Sequence, residues 1–382
     1  MKIVLLFTAL ILIGCQEQTS KEVTVSSSDK NWAFSSFEKA DSINPILKPS
    51  MDLTFKDPIT KKQVAWEQRN VLNPSAIVKG DSVYLFYRAQ DSSGTSRIGL
   101  ATSGDGLHFK KRPAPAFFPD NDFMKSKEWN YRKFTSDSLN TDCVSCFFDG
   151  AEDPRIIESE DGTYIMTYTA YDGKTARLAL ASTSDLNYWT KHGLVLKDPE
   201  YEDLWAKSGA IVVQMKDGRP IAKKINGRYW MYFGDTKLFM ASSTDLINWK
   251  VALNEENNKM IEVLQPRPGF FDSRLVEPGP YALYKEEGIL LIYNASNAAN
   301  YNDAQLPKFT YAAGQALFDK NAPHKLIDRT DDYFIYPDKD YEKVGEVNEV
   351  CFVEGLVKFK GQWFLYYGTA DSKIAVAVNS DY

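Results

Sequence analysis

Short, largely apolar runs recur along the chain at 82–87, 163–168, 228–233, 288–293 and 362–367, and each ends on Tyr or Phe. A polar turn precedes each one: Lys79-Gly80-Asp81, Glu160-Asp161-Gly162, Ile225-Asn226-Gly227, Lys285-Glu286-Glu287 and Phe359-Lys360-Gly361. Runs of this kind behind such turns predict strands paired through tight hairpins. A second strand pattern follows the first three, at 97–103, 177–184 and 237–243. Each leads into an aspartate turn at Asp105, Asp185 and Asp245, with Phe109, Trp189 or Trp249 close behind. Residues 374–378 give the matching strand of the last unit. Five such units, starting near Asn73, Glu152, Ser208, Glu277 and Glu354, predict a radial repeat. With no long helical pattern between them, the expected fold is all-β, a five-bladed β-propeller over residues 46–382.

The start of the chain reads differently. Lys2 precedes an apolar run from Ile3 to Ile13 that is too short to span a bilayer and fits a signal peptide. It ends in Leu12-Ile13-Gly14-Cys15, which resembles a bacterial lipobox and implies cleavage before Cys15 and lipidation of its thiol. Residues 1–15 are therefore expected to be a lipoprotein signal peptide, and 16–45 a flexible tether. The expected location is the bacterial cell envelope, on the outer membrane, with the lipid anchor as the only membrane contact. Cys143 and Cys146 form a CxxC without a second pair or nearby histidines for zinc. In an oxidising compartment, a local disulfide is the expected state.

Composition narrows the partners. A net charge of -6 supplies no basic stripe for nucleic acid. Aromatic residues make up 13% of the chain, which suits both strands and the flat apolar faces of sugars. No motif calls for a metal or an organic cofactor.

Candidate chemistry sits just before the hairpins, in Asn73-Pro74-Ser75, Glu152-Asp153-Pro154-Arg155, Lys207-Ser208-Gly209, Glu277-Pro278-Gly279 and Glu354-Gly355. Charges at these otherwise apolar places would be costly without partners, so their convergence on an axis points to a polar ligand. Individually they have blander readings, since an Asp before Pro caps turns and Arg155 suits a strut between units.

Asn73-Pro74-Ser75-Ala76, Tyr87-Arg88-Ala89, 96–101 and Asp105-Gly106 resemble the opening of glycoside hydrolase family 130, and Glu152-Asp153-Pro154-Arg155-Ile156 resembles its second unit. The resemblance runs from about Asn73 to the C-terminus. It implies a five-bladed propeller acting on β-mannosides, by phosphorolysis or, in some branches, hydrolysis. It further implies Asp153 as general acid, with Asn73, Ser75, Arg88 and Asp371 holding the mannose. Arg97, Lys207, Asn294 and Glu354 complete the expected substrate contacts.

Where phosphorylases of the family carry His-Arg-Pro and a Tyr-His, this chain has Phe233-Gly234-Asp235 and Tyr293-Asn294. Phosphate needs a cationic pocket, and of that set Lys207 alone is retained. The expected activity is inverting hydrolysis releasing mannose from β-mannosides, with β-1,2-linked manno-oligosaccharides as the expected substrates. Inversion needs a second carboxylate about 6.5–9.5 Å from the acid to activate water. Glu277 ranks first for that role and Asp235 second. The alternatives are a β-mannoside phosphorylase, with Lys207 and Arg274 as phosphate ligands, and a non-catalytic surface glycan-binding lipoprotein.

Overall fold

The computed structural model describes residues 30–134 and 147–379. Antiparallel strands dominate it, and the two α-helices among the described residues, Lys125–Glu128 and Asp340–Lys343, are single turns. The strands fall into five consecutive units. The first contains Asn70–Lys79, Ser82–Gln90, Thr95–Ser103 and Lys110–Lys111. The second contains Asp149–Glu158, Tyr164–Tyr171, Ala176–Thr183 and Thr190–Leu194. The third is built on Ala210–Lys216, Tyr229–Phe233, Phe239–Ser243 and Trp249–Val251, with the hairpin strand Arg219–Ala222 added at its start. In the fourth, Leu275–Pro278 and Ala282–Tyr284 both pair with Ile289–Ser296, followed by Tyr311–Phe318 and Leu326–Arg329. The fifth contains Cys351–Phe359, Gln362–Thr369 and Lys373–Asn379.

The expected hairpin turns form for the expected reason. Asn226 and Gly227 lie at φ +53° and +77°, and Lys360 and Gly361 at +49° and +85°. Positive φ at both central residues gives the turn twist that matches paired strands. The repeated aspartate turns are also locally encoded. Ser103, Thr183 and Ser243 each donate a hydroxyl to Asp105, Asp185 and Asp245, whose carboxylates accept backbone N–H groups of the next two to three residues.

Short parallel bridges place consecutive units side by side: Thr95 with Asp149, Ile221 with Glu158, Val212 with Ala282, and Tyr311 with Val350. The hydrophobic core accordingly lies between units. One cluster joins Val71 and Tyr87 of the first unit to Val357 and Tyr366 of the fifth, and another joins Phe86 to Tyr168. Each such large side chain contributes roughly 1.5–3 kcal/mol on burial.

Four units carry the same buried strut. The hydroxyls of Tyr87, Tyr168, Tyr293 and Tyr367 donate to Glu67, Glu128, Asp272 and Glu342. Lys111, Lys191, Arg329 and Lys39 pair with these carboxylates in turn. Phe233 stands at the corresponding place of the third unit, where no hydroxyl is available.

The expected boundary between tether and folded domain at residue 45 is corrected. Within 30–45, Trp32, Phe34 and Phe37 are each 6% exposed and join the core. Glu38–Lys39 pairs with Lys373–Asn379, giving the fifth unit its fourth strand. Three buried aromatic side chains are incompatible with a solvated tether, so the folded part begins at least as early as residue 30. The expected signal peptide, the expected lipidation site Cys15 and the expected Cys143–Cys146 disulfide lie outside the described residues.

Candidate functional site

Every unit sends a residue to one polar cluster, and the backbone is bent to do so. The ladder slips in register between Leu72 and Pro74, between Glu152 and Arg155, and between Val353 and Gly355. These are β-bulges, which re-aim a side chain out of the alternating pattern. Asn73 and Asp153 sit at φ +47° and +49°, and Ser208 at +60°. A non-glycine residue in the left-handed region costs of order 1–3 kcal/mol and persists only where surrounding structure holds it. Pro74 and Pro154 suit the slip, because proline has no N–H to lose from the ladder. Asp371, in the turn after Gln362–Thr369, is also left-handed at +48°.

At the first and second units, Asn73 Nδ2 donates to Asp153 Oδ1 at 2.8 Å. Arg88 forks between two neighbouring acids, with Nη1 at 3.2 Å from Asp153 Oδ1 and Nη2 at 2.7 Å from Glu152 Oε1. Ser96 Oγ also donates to Glu152 Oε1, at 2.9 Å. The two acids are 5% and 2% exposed. Burial pushes Glu152 up to about 7, with Arg88 opposing and Asp153 adding to the rise. Burial also works to raise Asp153, but Arg88, Lys207 and Asn73 outweigh it and hold this carboxyl below its ordinary value. The two carboxyls are coupled, and the pair takes up a proton as pH falls through about 7.

Across the cluster, Lys207 Nζ lies 3.8 Å from Glu277 Oε1, and the Ser208 hydroxyl donates to the same oxygen. Burial raises Glu277 above the ordinary carboxylate range, Lys207 opposes this, and the charge of Asp235 adds to it. Lys207 is held firmly cationic: burial opposes its charge, but Glu277, Asp153 and Asp235 outweigh that effect. Asp235 is half-buried and accepts a hydrogen bond from the indole N–H of Trp205.

Glu354 is 1% exposed. Its Oε1 forms an ion pair with Arg155 at 2.9 Å, and neither carboxyl oxygen accepts a hydrogen bond among the described residues. Burial pushes this group well above its ordinary value. Asn73 Oδ1 is likewise buried without a partner among the described residues. Orphaned buried acceptors are costly, and polar ligand groups such as sugar hydroxyls would satisfy them. Asp371 feels Arg88, Asp153 and Lys207, and burial brings it up to about 6.

Of the residues expected from sequence, the structure brings Asn73, Arg88, Asp153, Lys207, Asp235, Glu277, Glu354 and Asp371 together. Ser75 lies beside them, its hydroxyl accepting the Ile156 N–H at 3.0 Å. Two expectations are corrected. Arg97 is 1% exposed and pairs with Asp57 at 2.7 Å and Asp91 at 2.8 Å, away from the cluster. Arg177 repeats that arrangement with Asp172 and Asp203, so the pattern belongs to the repeat rather than to a ligand. Asn294 has no exposed surface, and its amide exchanges two hydrogen bonds with the backbone of Val353, joining the fourth unit to the fifth. Arg155 is the strut that its sequence context also allowed, donating to the carbonyls of Pro278 and Gly279 at 2.7 Å. Glu152 and Ser208 belong to the cluster and were not singled out from sequence. Strict alternation would turn Glu152 away from the face used by Asp153, and only the bulge admits both.

Buried carboxylates opposed to one another around an arginine and a lysine, in an all-β fold, are the site type of enzymes that break glycosidic bonds. The chain belongs to glycoside hydrolase family 130: residues 37–381 match the family model, which is described as beta-1,4-mannooligosaccharide phosphorylase. A 1,2-beta-oligomannan phosphorylase from Thermoanaerobacter sp. (strain X514) is 30% identical over 329 residues, covering 83% of this chain and 92% of that protein. Among solved structures, a glycosyl hydrolase from Bacteroides ovatus is 40% identical with a TM-score of 0.84, covering 92% of this chain and 95% of the other. Another, 40% identical with a TM-score of 0.85 over 92% of this chain and 95% of the other, accompanies the statement that this family of mannoside phosphorylases contains glycoside hydrolases targeting beta-1,2 mannosidic linkages in Candida mannan. The family is one of mannoside-processing enzymes, and the named curated relatives back phosphorolysis more than hydrolysis.

Proposed function

We propose that this protein is an inverting glycoside hydrolase that releases mannose from β-mannosides, with β-1,2-linked manno-oligosaccharides as substrates, on a five-bladed β-propeller. The side-by-side units and the core between them support the propeller. The observation that carries hydrolysis is the charge around Glu277. Asp235 stands where the family's phosphorylases carry a cation, and with Glu277 and Asp153 it acts on Lys207, the one cation retained of that set. Such a pocket repels phosphate and suits activation of water.

In this reading Glu277 accepts a proton from water as the water oxygen attacks the anomeric carbon. The glycosidic bond breaks, and Asp153 delivers to the leaving oxygen the proton held by the Glu152–Asp153 pair. Asn73, Ser75, Arg88, Glu354 and Asp371 hold the mannose.

Phosphorolysis is the second reading, favoured by the names of the curated relatives, with Lys207 and Arg274 as phosphate ligands. The two differ in product. Incubated with β-1,2-mannobiose, the protein is expected to release free mannose at the same rate with and without phosphate. Phosphate-dependent formation of mannose 1-phosphate would refute hydrolysis.

The cell-envelope location is proposed on the lipobox-like Leu12-Ile13-Gly14-Cys15. The wild-type protein is expected in the membrane fraction and Cys15→Ser in the soluble one. A wild type that already fractionates as soluble would end that proposal.

A further inference from the structure

Trp205 lies between the second and third units and is 48% exposed, although its indole N–H is engaged. That N–H donates to Asp235, the half-buried carboxylate beside Glu277 and Lys207. The ring meets Tyr171 edge-on, with centroids 6.1 Å apart. Tyr171 in turn lies within the electrostatic reach of Glu152 and Arg88. Trp205 therefore lies at the solvent-facing edge of the cluster, touching Asp235 and, through Tyr171, approaching the Glu152–Asp153 pair.

An exposed indole face at the rim of a carboxylate-lined pocket offers the flat apolar surface on which a sugar ring packs. The carboxyls of the cluster are buried and the ring beside them is exposed, which suits the next residue of an oligosaccharide, the one that departs.

We propose that Trp205 has two roles: its ring is the platform for the leaving-group sugar, and its N–H is a positioning contact that aims the Asp235 carboxylate. This inference rests on the family-130 reading of the site and does not depend on whether water or phosphate attacks. The first role reaches substrate directly, while the second acts only through Asp235.

Two variants separate the roles. Trp205→Phe keeps an aromatic face and removes the N–H. Trp205→Ala removes both. Affinity is measured by calorimetry in an Asp153→Asn background, where turnover does not interfere, with β-1,2-mannotriose and with free mannose as probes. Trp205→Ala is expected to weaken mannotriose about tenfold while leaving mannose affinity unchanged, and Trp205→Phe to bind both like the parent. In the otherwise wild-type enzyme, Trp205→Phe is expected to lower kcat about tenfold at unchanged KM.

Unchanged mannotriose affinity in Trp205→Ala would overturn the platform. An equal loss for mannose would overturn it too, by placing the ring's effect on the central pocket. Wild-type kcat in Trp205→Phe would overturn the positioning role. The binding arm stands even if the product assay shows mannose 1-phosphate, so failure of the hydrolase reading and failure of this inference are separately visible.

Discussion

Asp153→Asn is expected to lower turnover of unactivated mannosides by about 10²–10⁴-fold, the usual contribution of general acid catalysis. The substitution keeps the pocket, because an amide oxygen can accept the same bonds from Asn73 at 2.8 Å and Arg88 at 3.2 Å. What it removes is a carboxyl able to pass a proton to the leaving oxygen. Aryl mannosides, whose leaving groups need little protonation, should lose much less. The pH dependence follows from the same pair. Its shared proton is present below about 7 and is lost as pH rises through the Glu152 value, so activity should fall on the alkaline side near there. In Glu152→Gln the proton must sit on Asp153, which Arg88 and Lys207 hold low, so the alkaline limb should move to lower pH. Near wild-type turnover of mannobiose by Asp153→Asn would remove the catalytic assignment.

The second large effect is expected at Glu277. Glu277→Gln should reduce hydrolysis by a similar order, about 10²–10⁴-fold, because an amide cannot take the proton of water. Asp235→Asn should cost less, since the amide can still accept the Trp205 N–H and only its charge is lost. Geometry sets this ranking: the Ser208 hydroxyl and the Lys207 ammonium both address Glu277 Oε1, fixing one oxygen and leaving Oε2 for water. A base works ionised, and burial raises Glu277, so the acid limb of the profile should be lost as pH falls through that raised value. Azide should restore part of the activity of Glu277→Gln, because that anion needs no deprotonation. Equal losses in the two variants would mean that both carboxylates share the water, and the ranking would then fail.

Four of the legible sites share a property: each is punctuated locally. Asn73-Pro74, Asp153-Pro154, Glu277-Pro278 and Glu354-Gly355 set a polar residue before a ladder-breaking one, and at Asn73, Asp153 and Glu354 the structure has bulges. Arg97 and Asn294 were misread because a charge or an amide near a functional segment carries no sign of the direction in which it points. For Arg97 a signal existed, since Arg177 repeats it in the second unit, and a residue copied by the repeat serves the repeat. For Trp205 there was none: it lies in an irregular stretch, 195 to 209, with no strand pattern to assign it a face.

The alternating runs, the Asn-Gly and Lys-Gly turns and the aspartate turns were determined by the sequence itself, because their geometry depends on residues within a few positions of one another. The number of units followed from counting them. Tertiary structure alone decided that Glu38–Lys39 completes the fifth unit, a pairing with Val378 and Ala377 across nearly the whole chain. It alone decided that Glu152 and Asp153 both face Arg88, and that their surroundings push the two carboxyls in opposite directions. Those outcomes depend on burial and on charges brought from different units, and neither quantity exists until the units have packed together.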